Sequence, residues 1–114
     1  MTSLAHFEKL AGSIKLPTLA VIDGKLVPAG KGHTFEKHTP RNGRLIAHIA
    51  ECDADDVDTA VASARAAFED GRWRHQHYRD KKKGLFKLAE LMERDAETLA
   101  VLESLDVGKP IRDT

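Results

Sequence analysis

The sequence contains only one cysteine, Cys52, among its 114 residues. A single cysteine cannot form an internal disulfide, so nothing in the composition indicates an oxidising compartment. The sequence also lacks an apolar run long enough for a signal peptide or a membrane-spanning helix. We therefore expect a cytoplasmic protein that has no membrane partner.

An excess of charge is missing too, because 18 Lys and Arg residues balance 18 Asp and Glu residues. A chain without net charge has no general attraction to nucleic acids or anionic membranes, although a local basic patch can still bind them. Hydrophobic residues make up 41% of the chain. That share and this length are enough for one domain with a single core, and too little for two domains.

The first half of the sequence predicts an N-terminal arm and short strands. Residues 1–18 contain a weak helical pattern that Gly12 interrupts, and we assign them to the arm. In residues 19–27, Asp23-Gly24 separates two apolar segments, which is a strong signal for a β-hairpin. Two further extended segments flank a turn rich in Pro, Asn and Gly. These segments are residues 34–38 and 44–50.

The second half predicts about three amphipathic helices, which makes the fold class α/β. Asp53 is a good N-cap for the first helix, whose apolar residues recur at steps of three and four. The run from Lys81 to Pro110 has the widest apolar stripe, and we divide it near Asp95 as a second N-cap. Gly108 can adopt the left-handed conformation that ends a helix, and Pro110 cannot continue one.

Two features resemble catalytic or cofactor-binding motifs but favour a structural role. Cys52 is the only thiol available as a nucleophile, yet it directly precedes a helix cap and lacks the His pattern of catalytic cysteines. Gly30-Lys31-Gly32 matches the first two glycines of a dinucleotide-binding motif, but Phe35 stands where the third should be. We interpret the cysteine as structural and the glycine pair as a turn.

Residues 72–87 contain two further candidates. His75, His77 and Asp80 could together hold a metal, but they match neither CxxC nor HExxH spacing, so a solvated loop is favoured. The same stretch carries seven basic residues with aromatic residues between them, as single-stranded nucleic-acid binders do. Because the preceding helix begins with acidic residues and the net charge is zero, we favour a solvated helix surface and do not expect a nucleic-acid partner.

The order of these elements, together with three sequence blocks, resembles the N-terminal segment of the NAD(P)-dependent aldehyde dehydrogenase family. The blocks are DDVDTAVASARAAFEDGRW, LAELMERDAETLAVLESLDVGKP and TPRNGR, the last being similar to the family's NPxTGE turn. The resemblance extends from about Leu19 to Ile111. It implies that residues 19–114 form part of the cofactor domain. The block ESLDVGKPIRDT is most similar to the branch that acts on γ-glutamylaminobutyraldehyde and related amino-aldehydes.

The resemblance implies an oxidoreductase that converts an aldehyde to a carboxylic acid with NAD(P). A family member uses a cysteine thiolate and a glutamate that activates water, and neither residue corresponds to a position of this chain. We therefore expect an inactive fragment that binds no cofactor alone. Its partner would be the remainder of such a polypeptide or a second copy. The alternatives are a stand-alone module that pairs with a full-length relative, and a small nucleic-acid binder.

The resemblance also implies a monovalent-cation site near the TPRNGR turn. Its ligands here would be the Asp106 carboxylate and the backbone carbonyls of Lys37 and His38, all of them hard oxygen donors. The family takes one more ligand from a segment outside this chain, so we expect any ion to be held weakly. Two positions depart from the family pattern: Thr39 replaces an asparagine, and Gly84 replaces a bulky apolar residue in a helix.

Overall fold

The computed structural model describes residues 3–114, so the first two residues of the predicted arm lie outside the described residues. Four α-helices and four short strands follow one another along the chain: α1 Leu4–Ser13, β1 Ala20–Ile22, β2 Lys25–Val27, β3 Thr34–His38, β4 Leu45–Ala50, α2 Ala54–Glu69, α3 Tyr78–Arg94 and α4 Ala96–Val107. A 3₁₀ turn at Ile111–Asp113 follows α4. The α/β fold class is confirmed, with three helices after the strands. Within residues 3–114, no helix combines the length and the apolar character that crossing a membrane requires.

The four strands form two antiparallel hairpins. β1 pairs with β2, and Asp23 and Gly24 at their turn have positive φ angles of 53° and 69°. Such angles give the tight turn whose twist matches that of the flanking strands. β3 pairs with β4, beginning with Thr34 opposite Ala50. The described strands therefore form two separate two-stranded sheets.

Helix α2 begins after Asp53, as the sequence predicts. The Asp53 carboxylate accepts hydrogen bonds from the N–H groups of Asp55 and Asp56, at 3.0 and 3.3 Å. The Asp56 carboxylate in turn accepts the Asp53 N–H at 3.1 Å, which completes a capping box. It also accepts the Gly30 N–H at 3.0 Å. The capping box therefore connects the start of α2 to the turn before β3.

Helix α3 begins earlier than predicted, because the sequence pattern placed the start of the helical run at Lys81 and the helix starts at Tyr78. The His77 ring caps it, with Nδ1 accepting a hydrogen bond from the Arg79 N–H at 3.3 Å. The predicted boundary is wrong because histidine is not among the usual capping residues, although a neutral imidazole nitrogen can accept such a bond. The helix then continues through Gly84 to Arg94.

The predicted division at Asp95 is confirmed, and Asp95 occupies the N-cap position of α4, but its side chain does not cap the helix. The Asp95 side chain makes no capping hydrogen bond to the start of α4. Its carboxylate binds the Arg94 guanidinium instead, with N–O distances of 2.9 and 2.7 Å. Two parallel charge-assisted bonds are stronger than one bond to a backbone N–H. At the other end of α4, Gly108 has a φ of 74° and ends the helix, as predicted.

The described residues bury little apolar surface. Ala29 and Val101 are the only hydrophobic residues among them that are buried, each 3% exposed. The larger apolar side chains of α2 and α3 lie exposed: Val57, Val61, Phe68, Tyr78, Leu85, Phe86, Leu88 and Met92. The radius of gyration is 17.6 Å, against about 13 Å for a compact chain of this length, and the extents are 48 × 39 × 19 Å. The described residues therefore form a flat layer, 19 Å in its shortest extent, that covers little of its own apolar surface.

Candidate functional site

The ion pair between Lys37 and Asp106 joins β3 to the last turn of α4. Lys37 Nζ lies 2.5 Å from Asp106 Oδ1, and the Lys37 side chain is only 30% exposed. A groove of about 340 Å³ borders this pair. Its apolar lining comes from both sides of the pair: Leu16, Pro17, Ile46, Ala47, Ile49, Leu102 and Leu105. The side chains of these two predicted site residues thus meet at one corner of the layer.

The third predicted residue, His38, lies beside a bulge in the β3–β4 ladder. Lys37 faces Ala47 and His38 faces Leu45, so Ile46 has no partner and the pairing is interrupted. The ladder is therefore interrupted between the two residues whose carbonyls are the predicted ligands. Any cation at the Asp106 carboxylate must compete with the ammonium of Lys37. Within residues 3–114, no three His, Cys, Asp or Glu side chains converge as a metal site, and the monovalent-cation site stays a prediction.

The TPRNGR turn packs against the end of α4. The Thr39 N–H donates to the Arg44 carbonyl at 3.0 Å, and the Gly43 N–H donates to the Thr39 carbonyl at 2.9 Å. Thr39 is 3% exposed, and its hydroxyl has no hydrogen-bond partner among residues 3–114. A Cβ atom placed on Gly108 would lie 2.9 Å from Pro40 Cγ. The turn and the helix end therefore form a tightly packed corner.

Helix α1 closes a second groove against α4. The groove has a volume of about 410 Å³ and lies between the apolar side chains of the two helices and Pro40. His6 Nε2 lies 3.0 Å from Glu97 Oε2, and Arg41 lies 3.6 Å from Glu8. Sequence reasoning missed both pairs, because the partners in each lie far apart in the chain and no local pattern connects them.

The Gly30-Lys31-Gly32 segment is a turn, and it does not fit a dinucleotide phosphate. The Gly30 N–H donates to both oxygens of the Asp56 carboxylate, at 3.0 and 3.2 Å. A Cβ atom at Gly30 would lie 2.8 Å from Asp56 Oδ1, so a carboxylate fills the space that a phosphate would need. The segment leads into strand β3, whereas a phosphate-binding turn opens a helix. No step of cofactor chemistry follows from these residues.

Lys31 reaches from this turn to the N-cap of α2. Its ammonium lies 2.7 Å from Asp53 Oδ2. The hydrogen bond from Lys31, followed by those from the Asp56 and Asp55 N–H groups, holds the pKa of the Asp53 carboxyl below its ordinary value. The same hydrogen bond and the charge of Asp53 raise the pKa of Lys31. The pair and the capping box fix the approach of α2 to the strands.

Residues 72–87 do not converge on a single site. His77 caps α3, the His75 ring accepts a bond from Arg74 Nε at 3.1 Å, and Asp80 lies 3.4 Å from Lys83 Nζ. Each of the seven basic side chains has an acidic or aromatic neighbour. The pairs are Arg72 with Asp70, Arg74 with Phe68, Arg79 with Tyr78, Lys81 with Trp73, Lys82 with Phe86, Lys83 with Asp80, and Lys87 with Glu90. Cys52 is exposed at the surface, next to the cap of α2.

Known proteins share both the sequence and the structure of this layer. The model of the aldehyde dehydrogenase family matches residues 27–114. Aminoacetaldehyde dehydrogenase of Pseudomonas aeruginosa is 49% identical over 113 residues, which are 99% of this chain and 23% of that protein. Aldehyde dehydrogenase of Aspergillus niger is 50% identical over 90 residues, 79% of this chain and 18% of that protein. The chain thus spans about a fifth of the curated relatives that it matches.

Two solved structures extend this comparison. An indole-3-acetaldehyde dehydrogenase in complex with NAD⁺ is 42% identical, with a TM-score of 0.95 over 99% of this chain and 23% of that one. The γ-glutamyl-γ-aminobutyraldehyde dehydrogenase of Burkholderia cenocepacia is 40% identical, with a TM-score of 0.95 over 98% of this chain and 23% of that one. The backbone of this chain therefore matches the corresponding part of both enzymes.

Proposed function

Because the chain belongs to the aldehyde dehydrogenase family, we propose that it is the N-terminal part of an enzyme that oxidises an amino-aldehyde to a carboxylic acid with NAD. The observation that carries this proposal is the 49% identity to aminoacetaldehyde dehydrogenase over 113 residues. The similarity to γ-glutamyl-γ-aminobutyraldehyde dehydrogenase supports the same substrate class. The NAD⁺ complex of indole-3-acetaldehyde dehydrogenase supports NAD, which accepts the hydride when it is bound.

The role that we assign to these residues is structural support for the cofactor domain. Residues 3–114 place no thiol beside a base, since Cys52 lies exposed before α2. The glycine turn before β3 is occupied by the Asp56 carboxylate. We therefore propose that the 114-residue chain alone neither binds NAD(P) at useful affinity nor turns over an aldehyde, and that both activities belong to the assembled protein.

A comparison of two proteins tests this proposal. The first is the 114-residue chain, and the second is this chain joined to the part of the Pseudomonas aeruginosa enzyme that lies beyond the matched region. NADH absorbance is followed with a panel of amino-aldehydes. We expect activity in the joined polypeptide and none in the short chain. Cys52→Ser should leave the joined activity within about twofold, because this thiol does not touch the reacting atoms. NADH production by the short chain that depends on Cys52 would overturn the proposal.

The partner that we propose is the remainder of an aldehyde dehydrogenase polypeptide, which would cover the exposed side chains of α2 and α3. Self-association of the short chain is the alternative, because exposed apolar patches of several hundred Å² commonly cause association. We also propose that residues 1–18 are an arm attached to the family segment that follows, held there by the contacts of α1 with α4. The single cysteine supports a cytoplasmic location.

We further propose that a monovalent cation binds weakly to the Asp106 carboxylate and to the carbonyls of Lys37 and His38. A cation at a concentration equal to its Kd stabilises a protein by about 0.4 kcal/mol, so a small dependence on the choice of cation is expected. Lys37→Met should enlarge this dependence, because the competing ammonium is gone, and Asp106→Ala should abolish it. Urea unfolding in KCl, NaCl and choline chloride at equal ionic strength measures the effect. Identical midpoints for the wild type and Asp106→Ala in all three salts would remove the proposal.

A further inference from the structure

The turn between β3 and β4 contains the only asparagine of the chain, Asn42, and a glycine follows it directly. Both residues are exposed. An asparagine in this setting can be attacked by the backbone nitrogen of the next residue, and glycine favours the attack because it has no Cβ to obstruct a close approach. The family's NPxTGE turn has a threonine at the position of Asn42, and threonine has no carboxamide. The side-chain chemistry of this turn is therefore a feature of this chain and not of the family motif.

The turn holds the Asn42 carboxamide by its oxygen. The Arg44 N–H donates to Asn42 Oδ1 at 3.1 Å, as in an Asx turn. A backbone donor on this oxygen draws electron density from Cγ, and it stabilises the negative charge that Oδ1 gains when a nucleophile adds to Cγ. The turn thus supplies an oxyanion donor to the Asn42 side chain.

One hydrogen bond of the turn opposes this attack. The Gly43 N–H donates to the Thr39 carbonyl at 2.9 Å, and this bond must open before the nitrogen reaches Asn42 Cγ. Gly43 is exposed, so water replaces the lost partner. Opening a single bond of this kind slows the attack by about tenfold at most. The fold therefore delays the reaction without preventing it.

We propose that Asn42 is a site of spontaneous modification, at which the folded chain gains a carboxylate. The Gly43 nitrogen forms a bond to Asn42 Cγ and loses its proton, and the bond from Cγ to Nδ2 breaks, so that Nδ2 leaves as ammonia with that proton. One water molecule then opens the cyclic imide. Breaking the new bond at Cγ gives aspartate at position 42. Breaking the bond at the backbone carbonyl carbon gives isoaspartate, in which the main chain runs through the former side chain.

The two products affect the corner near α4 differently. Aspartate keeps the length of the backbone and still offers an oxygen to the Arg44 N–H. Isoaspartate lengthens the backbone by one carbon between Thr39 and Arg44, whose N–H and carbonyl are joined at 3.0 Å across the turn. We expect isoaspartate to break this bond and to disturb the close packing of Pro40 on Gly108. Modification of a surface side chain would then loosen a buried contact.

Ageing of the purified 114-residue chain in mildly alkaline buffer tests the site. The intact mass should rise by about 1 Da, because an amino group is exchanged for a hydroxyl group. The rate should rise about tenfold per pH unit, because the deprotonated Gly43 nitrogen is the attacking species. Cleavage after Glu36 and Glu51 releases residues 37–51, and this peptide should carry the whole change. Asn42→Thr is the matched control, because it has the family's residue and should keep its mass.

The chain unfolded in urea gives the reference rate. Conversion of the folded chain at no less than about a tenth of that rate supports the proposal. A folded chain that keeps its mass while the unfolded chain converts would overturn it, as would an equal mass gain in Asn42→Thr. The isoaspartate product, separated by ion exchange, should unfold at a lower urea concentration than the Asn42→Asp variant. Equal midpoints for these two proteins would overturn the predicted loosening of the corner.

These outcomes do not depend on the proposed function. The mass of the chain and its urea midpoint report on the β3–β4 turn whether or not the joined polypeptide oxidises an aldehyde.

Discussion

Gly108→Ala is expected to destabilise the chain by about 2–5 kcal/mol, the sum of a conformational and a steric cost. Gly108 ends α4 with a φ of 74°, a conformation that costs an L-residue about 1–2 kcal/mol. The added Cβ would also lie 2.9 Å from Pro40 Cγ, in a ring that cannot rotate away, and overpacking of this kind costs about 1–3 kcal/mol. Urea unfolding followed by far-UV circular dichroism gives the midpoint for each variant.

Gly43→Ala is the matched control for the Gly108 substitution. Gly43 has a φ of 70°, but beyond its own chain neighbours no atom of residues 3–114 lies within 4 Å of a Cβ built there. Its substitution should therefore show the conformational cost alone, about 1–2 kcal/mol. Pro40→Ala in the background of Gly108→Ala should recover part of the difference, because it removes the atom in the way. Equal losses of stability in Gly108→Ala and Gly43→Ala would show that the close contact of Gly108 with Pro40 adds nothing to the cost of the Gly108 substitution.

Asp53→Ala is expected to have the largest effect of any single carboxylate substitution. Asp53 accepts two N–H bonds at the start of α2, receives the Lys31 ammonium, and donates its own N–H to Asp56. Its loss should lower the unfolding midpoint by several degrees. Asp55→Ala is the control, because Asp55 lies in the same first turn without a cap role for its side chain. A midpoint shift no larger than that of Asp55→Ala would contradict the importance of the capping box.

The same carboxylate gives the stability a predictable dependence on acid. The pKa of Asp53 is lower in the folded chain than its ordinary value, chiefly through the hydrogen bond from Lys31. Its contribution is therefore complete above the unfolded pKa of about 4 and is lost as the pH falls through the folded value. Asp70 and Asp95, beside Arg72 and Arg94, act in the same pH window.

Asp53→Asn isolates the contribution of the Asp53 charge to the loss of stability in acid. Asparagine can still cap a helix, but it has no charge to lose, so the variant should fall less steeply in stability below pH 4 than the wild type. Lys31 affects stability in the alkaline pH range instead. Its pKa is raised by Asp53, so its contribution is complete below its unfolded pKa and is lost as the pH rises through the folded one. Urea midpoints measured across both windows check both signs, and parallel acid curves for the wild type and Asp53→Asn would contradict the pairing.

Some of the fold was predictable because its causes are local. The hairpin at Asp23-Gly24, the cap at Asp53 and the helix end at Gly108 each follow from one or two residues whose backbone or side chain suits one conformation. Asp95 holds the N-cap position that the same rule predicts, but its carboxylate makes no capping bond, because Arg94 competes for it. The cap by His77 was missed, since imidazole accepts a hydrogen bond in only one of its protonation states.

The sequence pattern of α2 indicated an apolar face without indicating which row of that face packs. In the structure the small residues Ala60 and Ala67 are half-buried, and the helix packs against β1. The larger residues Val57, Val61 and Phe68 point outward. Periodicity shows only which positions of a helix are apolar. Which of those positions pack depends on how closely the helix backbone can approach the neighbouring strand. Small side chains allow that approach, and the large ones are left for a covering layer.

The sequence by itself determined the order of the elements, the resemblance to a family and most helix ends, because these depend on interactions within a few residues. Only the tertiary structure decided which distant residues meet: Lys37 with Asp106, Lys31 with Asp53, and His6 with Glu97. It also decided that the chain is a single thin layer whose apolar side chains lie largely exposed. Such contacts depend on how the elements are arranged in space, and that arrangement is set by packing between segments far apart in the chain, which local patterns do not encode.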